Sequence, residues 1–401
     1  MDNEEYIRVA TSYLKRCSVP LSSGAFREKY LPWNIETIRQ DHSKDFVAKI
    51  RKYDGYCFFP AHVDYKRVHG NFLNMYEQLP YAPAPGDFPH IRSLLGHIFR
   101  EQLELGIDYI QLLYMRPTQR LPILLLVSQE RNTGKTTFIH FLQAIFAGNM
   151  TINTNEDFKS NFNSEWACKL IIATDEVLLN RMEDSERFKT LSTAKTFKLE
   201  AKGKDRTEIE FFGKFILCSN NENNPVLIEQ GEIRYWVRKI MPIEHENTQM
   251  LDRIRGEIPA FLDFLLHRKL STQEEGRMWF NPALLETPAL RRMIQYNRGQ
   301  LENEMLGILE DIFHVSDKEE YVFCVQDIQM MLNGRDIKSE PVRIKRVLQD
   351  SWKLKPDKVQ RYTSYRPAGD GTLFPEPRTG RPYSVSREFV ADKMLFCNNE
   401  E

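Results

Sequence analysis

No stretch restricts what this chain can fold into as much as Leu121 to Thr137, LPILLLVSQERNTGKTT. The unbroken apolar run from Ile123 to Val127 has the length and the leucine-rich, β-branched content of a strand buried on both faces, as in a parallel sheet. Polar residues then interrupt it. Asn132, Thr133, Gly134, Lys135 and Thr136 lead into Phe138, Ile139, Phe141, Leu142, Ile145 and Phe146 at helical spacing, and Gly148 is placed to end the helix. Strand, polar loop with Gly-Lys-Thr, then helix is the order that a phosphate-binding loop requires.

Each residue type has a physical reason. Gly134 lets the backbone come close enough for amide N–H groups to point at phosphate oxygens, and the first helical turn adds unpaired N–H groups at the positive end of its dipole. Lys135 then reaches the β- and γ-phosphates, and Thr136, followed by Thr137, offers its hydroxyl to Mg²⁺. Asn132 to Thr137 are therefore the candidate nucleotide-binding residues, with Mg²⁺ as the expected metal. The usual pattern places its first glycine where this chain has Gln129, so the loop entrance must turn by another route.

The rest of the chain sets fewer limits. Its 401 residues suffice for two or three domains, and 41% hydrophobic with 28% charged residues excludes a disordered chain. Lys plus Arg total 55 against 56 Asp plus Glu, so any nucleic-acid surface must arise from local segregation of charge. Cys17, Cys57, Cys168, Cys218, Cys324 and Cys397 are scattered without a C-x-x-C pair, which reads as reduced thiols in a cytosolic protein. The start, MDNEEYIRVA, is acidic where a signal peptide is basic, and no apolar run approaches the ~18 to 20 residues of a membrane span. The expected location is cytoplasmic, with no membrane partner.

In chain order, residues 1–75 read as a domain of short helical patterns punctuated by aromatics and prolines, with no catalytic signature. His62 and His69 read as ordinary surface histidines. Pro80, Pro83, Pro85 and Gly86 mark a connection, and Phe88 to Tyr114 reads as helix with an apolar face that includes Ile91, Leu95, Ile98, Leu103 and Ile110. Past the loop helix, Leu170 to Ala173 forms a second buried-strand candidate ending in Thr174, Asp175 and Glu176. Beside a phosphate loop, Asp175 can hold Mg²⁺ through water while Glu176 polarises the attacking water; an acidic start to a following helix is the plainer alternative. A third run, Phe215 to Cys218, leads to Asn220, whose amide can sense the γ-phosphate or the water, and Asn-Asn is equally a turn former. Between these runs, TFKLEAKGKDRTEIEFFGK alternates as a β-hairpin with Lys202, Gly203, Lys204 and Asp205 at its tip. That tip reads either as a grip on a phosphate backbone or as a solvated turn.

Gly-Lys-Thr, Asp-Glu, a Lys-bearing hairpin and a strand ending in Asn, in this order, resemble a superfamily 3 helicase of phages, plasmids and DNA viruses, and most of all the helicase part of phage and plasmid primase-helicases. NFNSEWACKLIIATDE is similar to that family's approach to its acidic motif, and LNMYEQLPYAPAPG to the segment leading into its helical domain; the likeness spans roughly residues 70–250. The resemblance implies an AAA+-like α/β core with a parallel sheet, a helical N-terminal region, and a ring, expected to be a hexamer, with ATP between subunits. It assigns nucleotide and Mg²⁺ to Lys135 and Thr136, the acidic motif to Asp175 and Glu176, the sensor to Asn220 and DNA contact to Lys202 or Lys204. In QGEIRYWVRKI it assigns to Arg234 the arginine inserted into a neighbouring subunit's site, with Arg238 the second choice.

The helical stretch after Ile243 reads as a lid over residues 246–300, so the organisation becomes an N-terminal domain (1–75), a helical collar (76–118), the ATPase core (119–245), the lid, and a C-terminal domain (301–401). In the last, Glu302 to His314, Val325 to Leu332 and Pro341 to Trp352 read as helices, and Tyr362 to Phe389 as the strands and turn of a wing. Between Arg335 and Arg366 ten Lys or Arg stand against four acids, which suits a winged-helix-like domain contacting DNA through Arg343, Lys345 and Arg346, or a basic face on a protein-docking domain. The expected function is ATP-dependent unwinding of single-stranded or forked DNA by a homo-oligomer in a bacterial host cytoplasm during phage or mobile-element replication. No primase centre is visible, so a coupled primase is a separately encoded partner or lies upstream. A packaging or defence ATPase, and a non-catalytic origin-binding scaffold with a degenerate loop, are the alternatives.

Overall fold

The computed structural model describes residues 5–20, 26–160, 163–179, 182–200, 206–228, 231–243, 249–297, 299–316, 318–335, 337–367 and 373–395. The chain divides into two compact units, one of residues 1–226 and 233–285, the other of 227–232 and 286–401.

The first unit is a mixed α/β body around a five-stranded, all-parallel sheet. Its strand order is Tyr235–Lys239, Ile123–Val127, Lys214–Ser219, Ile171–Asp175, Met150–Ile152. The register sets Leu124 beside Ile216 and Trp236, and Ile172 beside Phe215. Ile123–Val127 is buried along its whole length because helices or aromatic clusters cover both faces. On one face Leu124, Leu126, Ala173 and Trp236 share a core with Phe138, Phe141 and Leu142 of the Lys135–Phe146 helix and with Phe261 of the Met250–His267 helix. On the other, the rings of Phe158, Phe188 and Phe215 lie within 5.1 Å of one another along the pairs Phe158–Phe188 and Phe188–Phe215. Because all strands run the same way, their carboxyl ends meet at one edge, where open parallel sheets bind ligands.

Two expectations about the region ahead of the sheet are corrected. Residues 5–75 are mainly strand, not helix. A four-stranded sheet orders Phe26–Pro32, Ser12–Pro20, Tyr6–Val9 and Arg51–Tyr53, a three-stranded one orders Gly55–Cys57, Phe72–Asn74 and Val68–His69, and among the described residues only Ile35–Asp41 and Lys44–Lys49 are helical. The helix read from Phe88 to Tyr114 is two helices, Pro89–Phe99 and Leu103–Met115, separated by a 3₁₀ turn, Arg100–Gln102. Arg100 adopts φ 45°, and the carbonyl of Phe99, released from the helix ladder, accepts the Arg238 guanidinium at 2.7 Å. Gly106 makes room for the Phe99 ring, since a Cβ there would lie 2.2 Å from it. Glu257 of the Met250–His267 helix caps the first of these helices, accepting from the backbone N–H of His90 at 2.9 Å and of Ile91 at 3.0 Å.

His62 is no surface histidine. Its Nε2 lies 2.6 Å from the Tyr76 hydroxyl and its Nδ1 2.7 Å from the Tyr114 carbonyl, and burial lowers its pKa to about 4. Nearby, Lys214 is fully buried at the amino end of its strand and donates to the carbonyls of Pro117 and Phe212. Burial pushes its pKa down to about 7.

The second unit carries helices Pro288–Asn297, Gln300–Ser316, Val325–Gly334 and Pro341–Arg346, the last running into a π-helical turn, Val347–Ser351. Gln360–Pro367 and Leu373–Gly380 form an antiparallel hairpin, Glu320–Phe323 pairs antiparallel with Tyr383–Ser386, and the helix Arg387–Leu395 follows. Leu309, Phe323, Ile328, Leu332, Ile344 and Leu348 are among its core residues. Buried Asp327 ties helix to hairpin: it accepts from the Cys324 N–H and the Tyr362 hydroxyl, both at 2.7 Å, and from Arg378 at 3.0 Å.

Candidate nucleotide cleft

Three strands deliver the cleft residues to the same sheet edge. Ser128 follows Ile123–Val127, Asp175 closes Ile171–Asp175, and Asn220 follows Lys214–Ser219. Between Ser128 and the helix that begins at Lys135, the loop turns through Asn132 at φ 57° and Gly134 at φ 84°. Gly134 suits the left-handed backbone at this position, and a Cβ there would press on the end of the Ile243 side chain at 3.1 Å. The loop is clamped from outside by His97, whose Nε2 lies 3.0 Å from the Thr133 carbonyl, and by the Ile243 N–H, which donates to the Asn132 carbonyl at 3.2 Å.

The cleft has a volume of about 630 Å³ and is lined by Arg131 to Thr137, Asp175, Glu176, Ser219 and Asn220. Lys135 is buried, and its Nζ donates to Ser128 Oγ, to Thr133 Oγ1 at 3.1 Å and to Asn220 Oδ1 at 3.0 Å. Burial lowers its pKa, against the pull of Asp175, Glu222 and Glu130. Asn220 turns its other end to Glu176, donating from Nδ2 to Oε1 at 3.2 Å, and Thr136 Oγ1 donates to Asp175 Oδ2 at 2.9 Å. One amide thus bridges the ammonium and the carboxylate.

Glu176 has φ 96°, a conformation that costs a residue with a Cβ roughly 1–3 kcal/mol. The N–H groups of Glu176 and Val177 both donate to the Cys218 carbonyl, at 3.0 and 2.7 Å, and Asn155 Nδ2 donates to the Glu176 carbonyl at 3.1 Å. These contacts hold the strained residue in place. Thr136 and Asp175 fit Mg²⁺ in the form that accompanies phosphates, which takes one or two carboxylates and fills its shell with water and phosphate oxygens. Among the described residues no group of three or more His, Cys, Asp or Glu could hold a metal by itself.

The missing first glycine has a local answer. Gln129 donates its N–H to Glu222 Oε1 at 3.0 Å, and the almost fully buried Glu222 carboxylate is paired with Lys239 at 3.0 Å. Sequence reasoning missed Glu222, Ser128, Asn155, His97 and Arg131, since nothing in their local spacing marks them.

Other candidates lie away from the cleft. Arg234 stands at the opposite edge of the sheet: its carbonyl accepts from Ile123 N–H at 2.8 Å, where its strand begins. Five residues later Lys239 pairs with Val127 at the cleft edge, so roughly 16 Å of strand separates Arg234 from its own loop. Arg238 is buried and held by Glu101 at 2.6 Å, Gln102 at 2.8 Å and the Phe99 carbonyl. Thr196–Leu199 and Thr207–Glu210 form the expected hairpin, while Lys202 and Lys204 lie outside the described residues. Arg343, Lys345 and Arg346 are exposed around the buried Ile344 on their helix. Cys17, Cys57, Cys168, Cys218 and Cys324 form no disulfide among the described residues, where Cys397 is not included. No helix among the described residues is long and apolar enough to cross a membrane.

Residues 126–234 match the model of a family of unknown function, DUF5906. A DNA primase-polymerase of Nitratiruptor phage NrS-1 is 27% identical over 209 residues, which is 48% of this chain and 29% of that protein. The chain therefore spans less than a third of the length of this relative. The solved apo structure of the NrS-1 C-terminal region aligns with 92% of this chain and 94% of its own, at 17% identity and a TM-score of 0.63. A second form of the same region aligns at 94% of each, with 17% identity and a TM-score of 0.62. These likenesses show a shared fold.

Proposed function

We propose that the chain is an ATP hydrolase of the superfamily 3 helicase type that translocates on single-stranded or forked DNA during phage or mobile-element replication. The observation that carries this reading is the linked set in the cleft, Thr136 on Asp175 and Asn220 between Lys135 and Glu176. Asn132 to Thr137 would cradle the phosphates of ATP, with Lys135 exchanging its hydroxyl and amide partners for phosphate oxygens. Thr136 and Asp175 would hold Mg²⁺, which when bound neutralises phosphate charge. Glu176 would orient and polarise water for attack on the γ-phosphate, and Asn220 would report the change to Lys135. The Glu222 support of Gln129 favours a working loop over a degenerate one.

Arg234 lies too far from its own cleft to serve it, which favours action in a neighbouring subunit of a ring, with a hexamer the expected state. The hairpin carrying Lys202 and Lys204 would face DNA in the channel. In the second unit the helix Pro341–Arg346 and the following hairpin fit a winged-helix-like module contacting DNA through Arg343, Lys345 and Arg346. Residues 76–118 would serve as the collar, 119–226 and 233–245 as the ATPase core and 246–285 as its lid, since residues 286–300 fall in the second unit. Priming, where it is coupled to unwinding, would come from a separately encoded primase.

ATP hydrolysis with and without single-stranded DNA, for the native chain, Lys135→Ala and Arg234→Ala, tests the reading. DNA-stimulated turnover that both substitutions abolish, and that a mixture of the two variants partly restores, is the expected result. A native chain that binds DNA without any turnover refutes it.

A further inference from the structure

The three-stranded sheet Gly55–Cys57, Phe72–Asn74, Val68–His69 has no part in the cleft, yet it presents aromatic rings outward. Antiparallel pairing sets His69 beside Phe72 on one face, and parallel pairing sets Gly55 on the other flank of Phe72. The Phe72 ring reaches over Gly55, at 3.0 Å from where a Cβ would stand, so glycine leaves room for it. The Phe59 ring packs on His69 with centroids 4.2 Å apart. Phe59 and Phe72 are 52% and 44% exposed, an unusual state for two neighbouring phenylalanines.

This arrangement is rigid. The buried Asn74 side chain accepts from the N–H groups of Phe59 at 3.0 Å and Tyr76 at 3.1 Å, and donates to the carbonyls of Phe59 at 3.1 Å and Lys66 at 3.0 Å. A single amide therefore fixes Phe59 on the surface and places the backbone of Lys66 beside it. Arg67 follows, exposed, donating to the Tyr30 hydroxyl at 2.8 Å. Along residues 51–75 the charges are Arg51, Lys52, Lys66 and Arg67 against Asp54 and Asp64.

We propose that Phe59, His69 and Phe72 form a stacking platform for the bases of single-stranded nucleic acid, with Lys66 and Arg67 tracking its phosphates. Every base offers a π-face, so pre-positioned rings beside cations bind a strand without reading its sequence. Exposed aromatic rings also serve protein interfaces; the exposed Lys66 and Arg67 that follow in the same segment are what favour a polyanionic strand here. The platform does not depend on nucleotide hydrolysis.

Fluorescence anisotropy of the full chain without nucleotide tests it, using labelled 20-mer oligothymidylate, the matching oligouridylate and an oligomer with abasic sites. The native chain should prefer base-bearing strands to the abasic one, and the two base-bearing probes show whether DNA or RNA is favoured. Phe59→Ala with Phe72→Ala should weaken binding on the order of 10- to 100-fold and erase the preference for bases, while Phe59→Tyr retains it. Lys66→Glu, which leaves the apolar packing intact, should weaken binding to all three probes and flatten its salt dependence. Melting curves matching the native chain confirm that the variants are folded. Unchanged affinity and base preference in the double variant, with or without a change in self-association by sedimentation, overturn the proposal; so does a native chain that ignores the bases. The anisotropy measurement contains no nucleotide, so its result and that of the hydrolysis assay are read separately.

Discussion

Asn163 and Glu200 grip each other's backbone. The Asn163 side-chain oxygen accepts from the Glu200 N–H at 2.9 Å, and the Asn163 N–H donates to the Glu200 carbonyl at 3.2 Å. The remaining Asn163 amide donates to the Lys198 carbonyl at 2.9 Å, and Trp166 packs on Phe197. This ties the hairpin to the segment that runs directly into the strand ending at Asp175. Asn163→Ala removes two hydrogen bonds to partly exposed backbone groups and should cost about 0.5–1.5 kcal/mol for each. Hydrogen exchange should quicken at the Glu200 N–H, which loses its acceptor, and DNA stimulation of hydrolysis should fall several-fold more than basal turnover.

Arg234 and Arg238 should separate cleanly. Arg238→Ala leaves the Phe99 carbonyl and the buried pocket unpaired, and should lower unfolding free energy by about 2–4 kcal/mol in urea titrations. Arg234→Ala should leave stability within roughly 1 kcal/mol while cutting turnover by on the order of 10³-fold. The reverse pattern would reassign the trans-acting role.

Glu222→Ala removes both the acceptor for Gln129 and the partner of Lys239. Nucleotide affinity, read by a fluorescent ATP analogue, should fall about 10-fold, the worth of roughly one charge-assisted hydrogen bond. Restoring the glycine alone, as Gln129→Gly with Glu222 intact, should change it little.

Stability should rise with pH in two windows. Lys214 has a folded pKa of about 7 against the usual 10.5, so between those values the unfolded chain holds a proton the folded chain has released, and raising pH favours folding. His62, at about 4 against 6.5, acts with the same sign between pH 4 and 6.5. Urea titrations should show a gain on the order of 1–2 kcal/mol from pH 7 to 9, and Lys214→Met should flatten that slope.

The loop, the acidic pair and Asn220 are legible because each sits at the end of an apolar run whose strand character is local. The amino-terminal strands are not: Ser12–Pro20 buries only Leu14 fully and leaves both faces partly wet, so no clean alternation marks it. The helix break at Arg100 depends on Arg238, and the loop entrance on Glu222, which lie far along the chain. Contacts of this kind are created by the fold and leave no trace in local spacing.

Glu176 brings a different matter into view. Its left-handed backbone would suit glycine better, and Glu176→Gly should relax the turn and stabilise the chain by about 1 kcal/mol while removing the carboxylate. Screening variants of this protein for heat resistance alone would therefore select against the very group its cleft is built to hold, and thermal tolerance and turnover would have to be optimised as opposing goals at this one position.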